Sequence, residues 1–131
     1  MKTVITFGTF DVFHIGHLNI LRRAAALGDR LVVGVSSDAL NFSKKARNTV
    51  YPQSERMEIV AAIGCVDAVF LEESLELKAE YVQEFNADVL VMGDDWQGQF
   101  DYLSNLCEVA YLPRTSGIST SDIIVKIRKY D

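Results

Sequence analysis

Apolar residues are spaced along this chain in two alternating rhythms. Short unbroken runs, Val4-Ile5-Thr6-Phe7, Arg30-Leu31-Val32-Val33-Gly34-Val35-Ser36, Asp67-Ala68-Val69-Phe70-Leu71, Val89-Leu90-Val91-Met92 and Glu108 to Leu112, have the length of strands and no clean apolar/polar alternation. That is the pattern of strands covered on both faces of a parallel sheet. Between them, apolar residues recur at helical spacing: from Leu18 to about Leu27-Gly28, where Gly28 suits a left-handed C-cap, from Ser54 to Ile63, and from Leu75 to Phe85 on an acidic helix. A short helix over 101–106 and an amphipathic helix over 122–128 complete the series. Pro52 stands ahead of the 54–63 helix and Gly64 behind it, matching the usual start and stop residues. Strand and helix alternating five times predict a single Rossmann-like, doubly wound, five-stranded parallel α/β sheet with helices on both faces, spanning 1–131 as one domain.

Four polar stretches break this rhythm, and each follows a strand: Gly8 to His17, Ser37 to Pro52, Gly93 to Trp96, and Arg114 to Ser121. Ligands of doubly wound sheets bind beyond the C-terminal ends of the strands, so all four should converge on one end. The first, Gly8-Thr9-Phe10-Asp11-Val12-Phe13-His14-Ile15-Gly16-His17, reads as a tight turn into a helix, whose N-terminal amides and dipole favour an anion. His14 and His17, three apart, project from one side of that opening turn, and Gly8 and Gly16 leave room for a phosphate against the backbone. A pair of helix caps and a metal half-site are the competing readings. A metal would need a third ligand, and only Asp11 lies near.

Composition narrows the partners. With 13 Lys and Arg against 18 Asp and Glu, a net charge of −5 argues against a broad nucleic-acid or anionic-membrane surface, so any anion site must be locally basic. Cys65 and Cys107 lack the paired spacing of a zinc site or redox motif and read as free buried thiols. The apolar run ending at Gly8 is too short for a signal peptide or membrane helix, which predicts a cytoplasmic protein without membrane insertion.

The segment Gly8-Thr9-Phe10-Asp11 followed by His14-Ile15-Gly16-His17 resembles the signature of the nucleotidyltransferase superfamily shared with class I aminoacyl-tRNA synthetases. Arg114-Thr115-Ser116-Gly117-Ile118-Ser119-Thr120-Ser121 is similar to the Arg-Thr-x-Gly-Ile-Ser-Thr motif of its cytidylyltransferase branch, and Gly93-Asp94-Asp95-Trp96 extends the match across the chain. The likeness is greatest to bacterial enzymes that make CDP-glycerol for teichoic-acid-type polymers. It implies transfer of a cytidylyl group from CTP to a phosphorylated polyol, sn-glycerol 3-phosphate foremost, with Mg²⁺ arriving with CTP and a homodimer as the assembly. An adenylyltransferase of the same fold and a nucleotide-binding module without turnover are the alternatives.

The resemblance also distributes roles. His14, His17, Lys44 and Arg114 are the expected catalytic groups. Gly8, Thr9, Phe10, Asp11, Gly16, Arg47, Asp95, Thr115, Gly117, Ile118, Ser119, Thr120 and Ser121 are expected to contact the nucleotide. Lys44, Lys78, Arg56 and Trp96 are expected around the acceptor, with either Lys45 or Arg47 serving the nucleotide phosphates. Plainer readings stand beside these: a solvated loop for Lys44, Lys45 and Arg47, a solvated Lys78, a surface ion pair of Arg56 with Glu55 or Asp38, a turn and helix cap for Asp94-Asp95, and a Ser/Thr cap for Ser119 to Ser121. The family's tryptophan shortly before the acceptor-binding lysine is absent, Ser74-Leu75-Glu76-Leu77 standing there.

Overall fold

A computed structural model describes residues 1–130. The five strands are β1 (Thr3–Gly8), β2 (Arg30–Ser36), β3 (Ala68–Glu72), β4 (Val89–Gly93) and β5 (Glu108–Leu112). They form one all-parallel sheet in the order β3-β2-β1-β4-β5. The helices are α1 (Ile15–Ala25), α2 (Asp38–Lys45), α3 (Gln53–Ala61), α4 (Lys78–Glu84) and α5 (Thr120–Lys129). The predicted α/β fold is the observed one.

Alternate residues of the central strands feed two cores, which is why these strands carry no polar face. Val4, Leu31, Val33, Val35, Val89 and Val91 join Leu21 and Ala24 of α1 and Val60 of α3 on one side. Ile5, Phe7, Val32, Leu90 and Met92 join Val82 of α4, Phe100 and Leu103 on the other. Strand order reverses at β1, since the chain moves outward to β2 and β3 and then returns to β4 on β1's other flank. The crevice beyond Gly8 is therefore the expected ligand position.

Five local expectations are corrected. The connection from Ser37 to Pro52 holds a helix: the Ser37 hydroxyl caps α2 by accepting from the Leu40 amide (3.0 Å), and Ala46 ends it in the left-handed region (φ 54°). Its inward face is only Leu40 and Asn41, too little apolar periodicity to reveal it. The acidic helix starts with a 3₁₀ turn (Leu75–Leu77), and the 101–106 helix is a 3₁₀ turn (Asp101–Leu103). Gly28 is no left-handed cap, since Ala26 closes α1 in right-handed geometry. It is needed for close approach: a Cβ there would lie 2.7 Å from the Lys2 carbonyl oxygen and 2.7 Å from Val4 Cγ2. Cys107 is buried as expected, whereas Cys65 is half-buried; both are free.

Candidate active site

The four polar stretches meet in one cleft of about 980 Å³ beyond the C-terminal strand ends. That volume suits a nucleotide together with a second small substrate. Its lining carries six basic side chains, Lys44, Lys45, Lys78, Arg47, Arg114 and Arg128, against Asp11, Glu72 and Asp95. An acidic chain thus concentrates positive charge where an anion would bind.

The wall after β1 is a strained turn. Phe10 (φ 55°) and Val12 (φ 49°) both adopt the left-handed region, which is uncommon for any non-glycine residue and costly for a β-branched one. Asp11 holds the turn in place. Its Oδ1 accepts from the Val12 and Tyr51 amides (3.1 and 2.9 Å), its Oδ2 from the Val50 amide (2.7 Å), and its carbonyl from Thr120 Oγ1 (2.8 Å). Both carboxylate oxygens are therefore engaged by backbone, and Asp11 ties the β1 turn to the α2–α3 connection and to α5.

The turn delivers two stacked imidazoles, ring centroids 3.8 Å apart at 25°. His14 Nδ1 accepts from the Gly16 amide (3.0 Å), and His17 Nδ1 accepts from the His14 amide (3.2 Å), a reciprocal cap on α1. The cap reading is thus correct, and it is compatible with the phosphate reading. Because both Nδ1 atoms accept, the protons of the neutral rings sit on Nε2, leaving one donor on each ring for an anion. Gly16 is required here, as its Cβ would stand 2.8 Å from His14 Cε1. His17 is wedged between the Phe10 and Phe13 rings at 5.5 and 5.3 Å. Burial first, then the charges of His14, Lys45 and Arg114, push its pKa down to about 3. Burial and Arg114 also lower that of His14. Both rings are neutral donors at physiological pH.

The opposite wall is built by the segment after β5. α1 holds it: Asn19 Nδ2 donates to Thr115 Oγ1 (3.0 Å), and Arg23 donates to the Pro113 carbonyl (3.1 Å). Gly117 lies outside the cleft lining but turns the chain at φ 80° so that Ser119 can cap α5. Each of the three hydroxyls has its own structural partner. Ser119 Oγ accepts from the Asp122 amide (3.1 Å), Thr120 Oγ1 donates to Asp11, and Ser121 Oγ accepts from Arg47 (3.2 Å). The row of hydroxyls therefore stitches the cleft together. Arg114 reaches across to Asp95 (3.0 Å), both side chains more than half exposed.

A scan against protein-family models matches residues 5–126 to the family described as cytidylyltransferase-like. The chain belongs to that family. It is 49% identical to the glycerol-3-phosphate cytidylyltransferase of Bacillus subtilis (strain 168) and 46% identical to that of Staphylococcus aureus, covering 94% of this chain in each case and 95% and 92% of the relatives. It is 31% identical to an FAD synthase of Thermococcus sibiricus, covering 95% of this chain and 90% of that protein. Among solved structures, a lipopolysaccharide core biosynthesis protein of Thermoplasma volcanium superposes with a TM-score of 0.78 over 88% of this chain and 99% of that one; at 22% identity it supports the fold alone.

Within this cytidylyltransferase-like chain, one expected acceptor residue, Arg56, stands outside the cleft. Arg56 is fully buried. It donates to the carbonyls of Tyr51 (3.0 Å), Thr9 (2.8 Å) and Ser36 (2.8 Å) and pairs with Asp38 at 2.7 Å. It holds the turns after β1 and β2 from below. Lys78, rather than being solvated, is a fully buried part of the cleft lining, paired with Glu72 and lying 4.1 Å from the Phe7 ring centroid. Lys44, Lys45, Arg47, Asp95 and Trp96 do line the cleft, as do Gly8, Thr9, Phe10, Ile118 and the hydroxyl row; the Phe10 ring itself is buried in the core. Sequence reading missed Ser36, Asn41 and Glu72. Glu72 did leave a signal, as a carboxylate directly ending an apolar strand.

Proposed function

We propose that this nucleotidyltransferase transfers the cytidylyl group of CTP to sn-glycerol 3-phosphate, giving CDP-glycerol and pyrophosphate. The observation that carries the reading is the meeting of the His14–His17 pair, Lys44 and Arg114 on one basic cleft in a chain whose relatives at 46–49% identity are glycerol-3-phosphate cytidylyltransferases.

The acceptor's phosphate oxygen is already anionic, so no general base is needed. It attacks the α-phosphorus of CTP in line, and the bond from that phosphorus to the bridging oxygen breaks as pyrophosphate leaves. Catalysis then consists of positioning and charge stabilisation. The Nε2–H donors of His14 and His17 meet the phosphate oxygens where charge develops. Arg114 exchanges Asp95 for the leaving pyrophosphate, with Lys45 or Arg47 and the α5 N-terminus beside it. Lys44 takes the acceptor's phosphate, and Trp96 walls that end of the cleft. Among the described residues no group of three or more His, Cys, Asp or Glu is placed to hold a metal. The Asp11 oxygens are already occupied, which fits Mg²⁺ arriving with CTP and coordinated mainly by phosphate oxygens. A homodimer belongs to the same proposal, and light scattering of the purified protein tests it.

The deciding experiment is pyrophosphate release with each of CTP, ATP, GTP and UTP against sn-glycerol 3-phosphate, ribitol 5-phosphate and erythritol 4-phosphate. CTP with glycerol 3-phosphate should give the highest kcat/KM. Preference for ATP would favour an adenylyltransferase, the reading supported by the FAD synthase relatives.

A further inference from the structure

The stretch that carries Arg114 has little backbone support of its own. Among the described residues, 113–118 make no backbone–backbone hydrogen bond, so beyond Leu112 other contacts must fix where the guanidinium starts. The sheet does not register this stretch directly against the histidines either, because β4 lies between β1 and β5.

The support comes from α1. Gly16, Asn19 and Arg23 stand at i, i+3 and i+7 and form one stripe along that helix. The chain after β5 runs along the stripe in the opposite direction. A Cβ on Gly16 would stand 3.4 Å from Ile118 Cγ2, Asn19 Nδ2 donates to Thr115 Oγ1 at 3.0 Å, and Arg23 donates to the Pro113 carbonyl at 3.1 Å. The two hydrogen bonds grip the residues on either side of Arg114 and leave its side chain free. Thr115 and Arg114 line the cleft, whereas Asn19 and Arg23 do not. The same helix is capped by His14 and His17 at its N-terminus, so one rigid element bears on both walls.

We propose that Asn19 and Arg23 are positioning residues: they clamp the stretch around Arg114 to α1 and thereby set the guanidinium at the distance from the His14–His17 pair that a departing pyrophosphate requires. The proposal rests on the reading of Arg114 as the cation that receives the leaving pyrophosphate. Neither Asn19 nor Arg23 meets substrate, and both act through the chain that carries Arg114. A small misplacement of a charge-stabilising group weakens it where charge develops in the transition state, and this reaction depends on such groups throughout.

The test is the double variant Asn19→Leu with Arg23→Met, which keeps the bulk of both side chains and removes both donors. Its kcat should fall about tenfold or more, while the KM for glycerol 3-phosphate stays within about twofold because the Lys44 end of the cleft is untouched. The decisive readout is a cycle with Arg114→Ala. Once the guanidinium is gone, the same two substitutions should change kcat/KM by less than about threefold, because there is no longer a group for the clamp to place. Arg23→Lys in place of Arg23→Met keeps a donor for the Pro113 carbonyl and should recover part of the loss. A folded double variant with wild-type kcat, or an equal loss with and without Arg114, would overturn the proposal. If the double variant does not fold, Asn19→Leu and Arg23→Met are taken singly through the same cycle and judged by the same outcomes. If wild-type protein transfers no cytidylyl group to glycerol 3-phosphate, that reading of the reaction fails by itself, and the cycle is read on the Kd for inorganic pyrophosphate by calorimetry: weakening that requires Arg114 supports the clamp, and equal weakening, or none, overturns it.

Discussion

Arg56 and Arg114 were both expected at the site, and the surroundings of each separate their jobs. Arg56 has no exposed surface and spends its guanidinium on three carbonyls and Asp38. Arg114 is more than half exposed and holds one partner, Asp95, in water. A saturated, buried cation has nothing to offer a ligand and shapes the chain around it. A cation with one exchangeable partner can trade that partner for phosphate. The cleft therefore has two zones: a buried support around Arg56 and Asp11 that sets the turns, and an open wall that meets the substrate.

The sharpest way to break this contrast is to remove each arginine. Arg56→Ala leaves three carbonyls and Asp38 without their donor and should cost about 3–5 kcal/mol of stability, or prevent folding outright. Urea denaturation measures it. Arg114→Ala should melt within about 1 kcal/mol of wild type, because an exposed pair contributes little, yet lose about 10²–10³ in kcat/KM. If Arg56→Ala is stable and inactive while Arg114→Ala unfolds, the assignment is reversed.

His17 belongs to both zones, as a cap through Nδ1 and a free donor through Nε2. His17→Ala should fold but lose at least ~10² in kcat, a smaller free-energy effect than losing Arg56. The pH dependence sharpens the point. A histidine whose folded pKa is about 3, against an ordinary 6.5, stays neutral in the folded protein as the pH falls through that ordinary value, whereas the unfolded chain takes up the proton. Its contribution to stability is fully present above pH 6.5 and is lost progressively from there down toward 3. Activity of the folded enzyme should thus show no titration of His17 between about pH 8 and 5, while denaturation midpoints decline across the lower part of that range. A fall in kcat/KM centred near 6.5 would mean that His17 is accessible and titrates normally.

Most of the fold and the convergence of the four polar stretches were legible in the sequence, because unbroken apolar runs and helical periodicity state the layering directly. The roles of individual polar residues were not. Whether Arg56 meets a substrate or three carbonyls depends on where the β1 and β2 turns pass, and no spacing along the chain records that. The excess of hydroxyls in Ser119-Thr120-Ser121 pointed to phosphate, yet each has a separate structural partner. α2 escaped notice because only Leu40 and Asn41 face inward. Glu72 was passed over because its partners Ser36 and Lys78 come from other elements.

Asp95 offers the finest test of the open wall. Its carboxylate faces Arg114 across the cleft with both groups solvated, so screening leaves the pair worth less than about 1 kcal/mol. Asp95→Asn should leave the urea midpoint nearly unmoved. It should also change the KM for CTP by no more than about fivefold, because Arg114 must leave Asp95 anyway when phosphate enters. A loss of two orders of magnitude in kcat/KM would place Asp95 on the substrate itself, as a hydrogen-bond acceptor for a hydroxyl. The exposed wall would then hold two groups that contact substrate where this arrangement requires one.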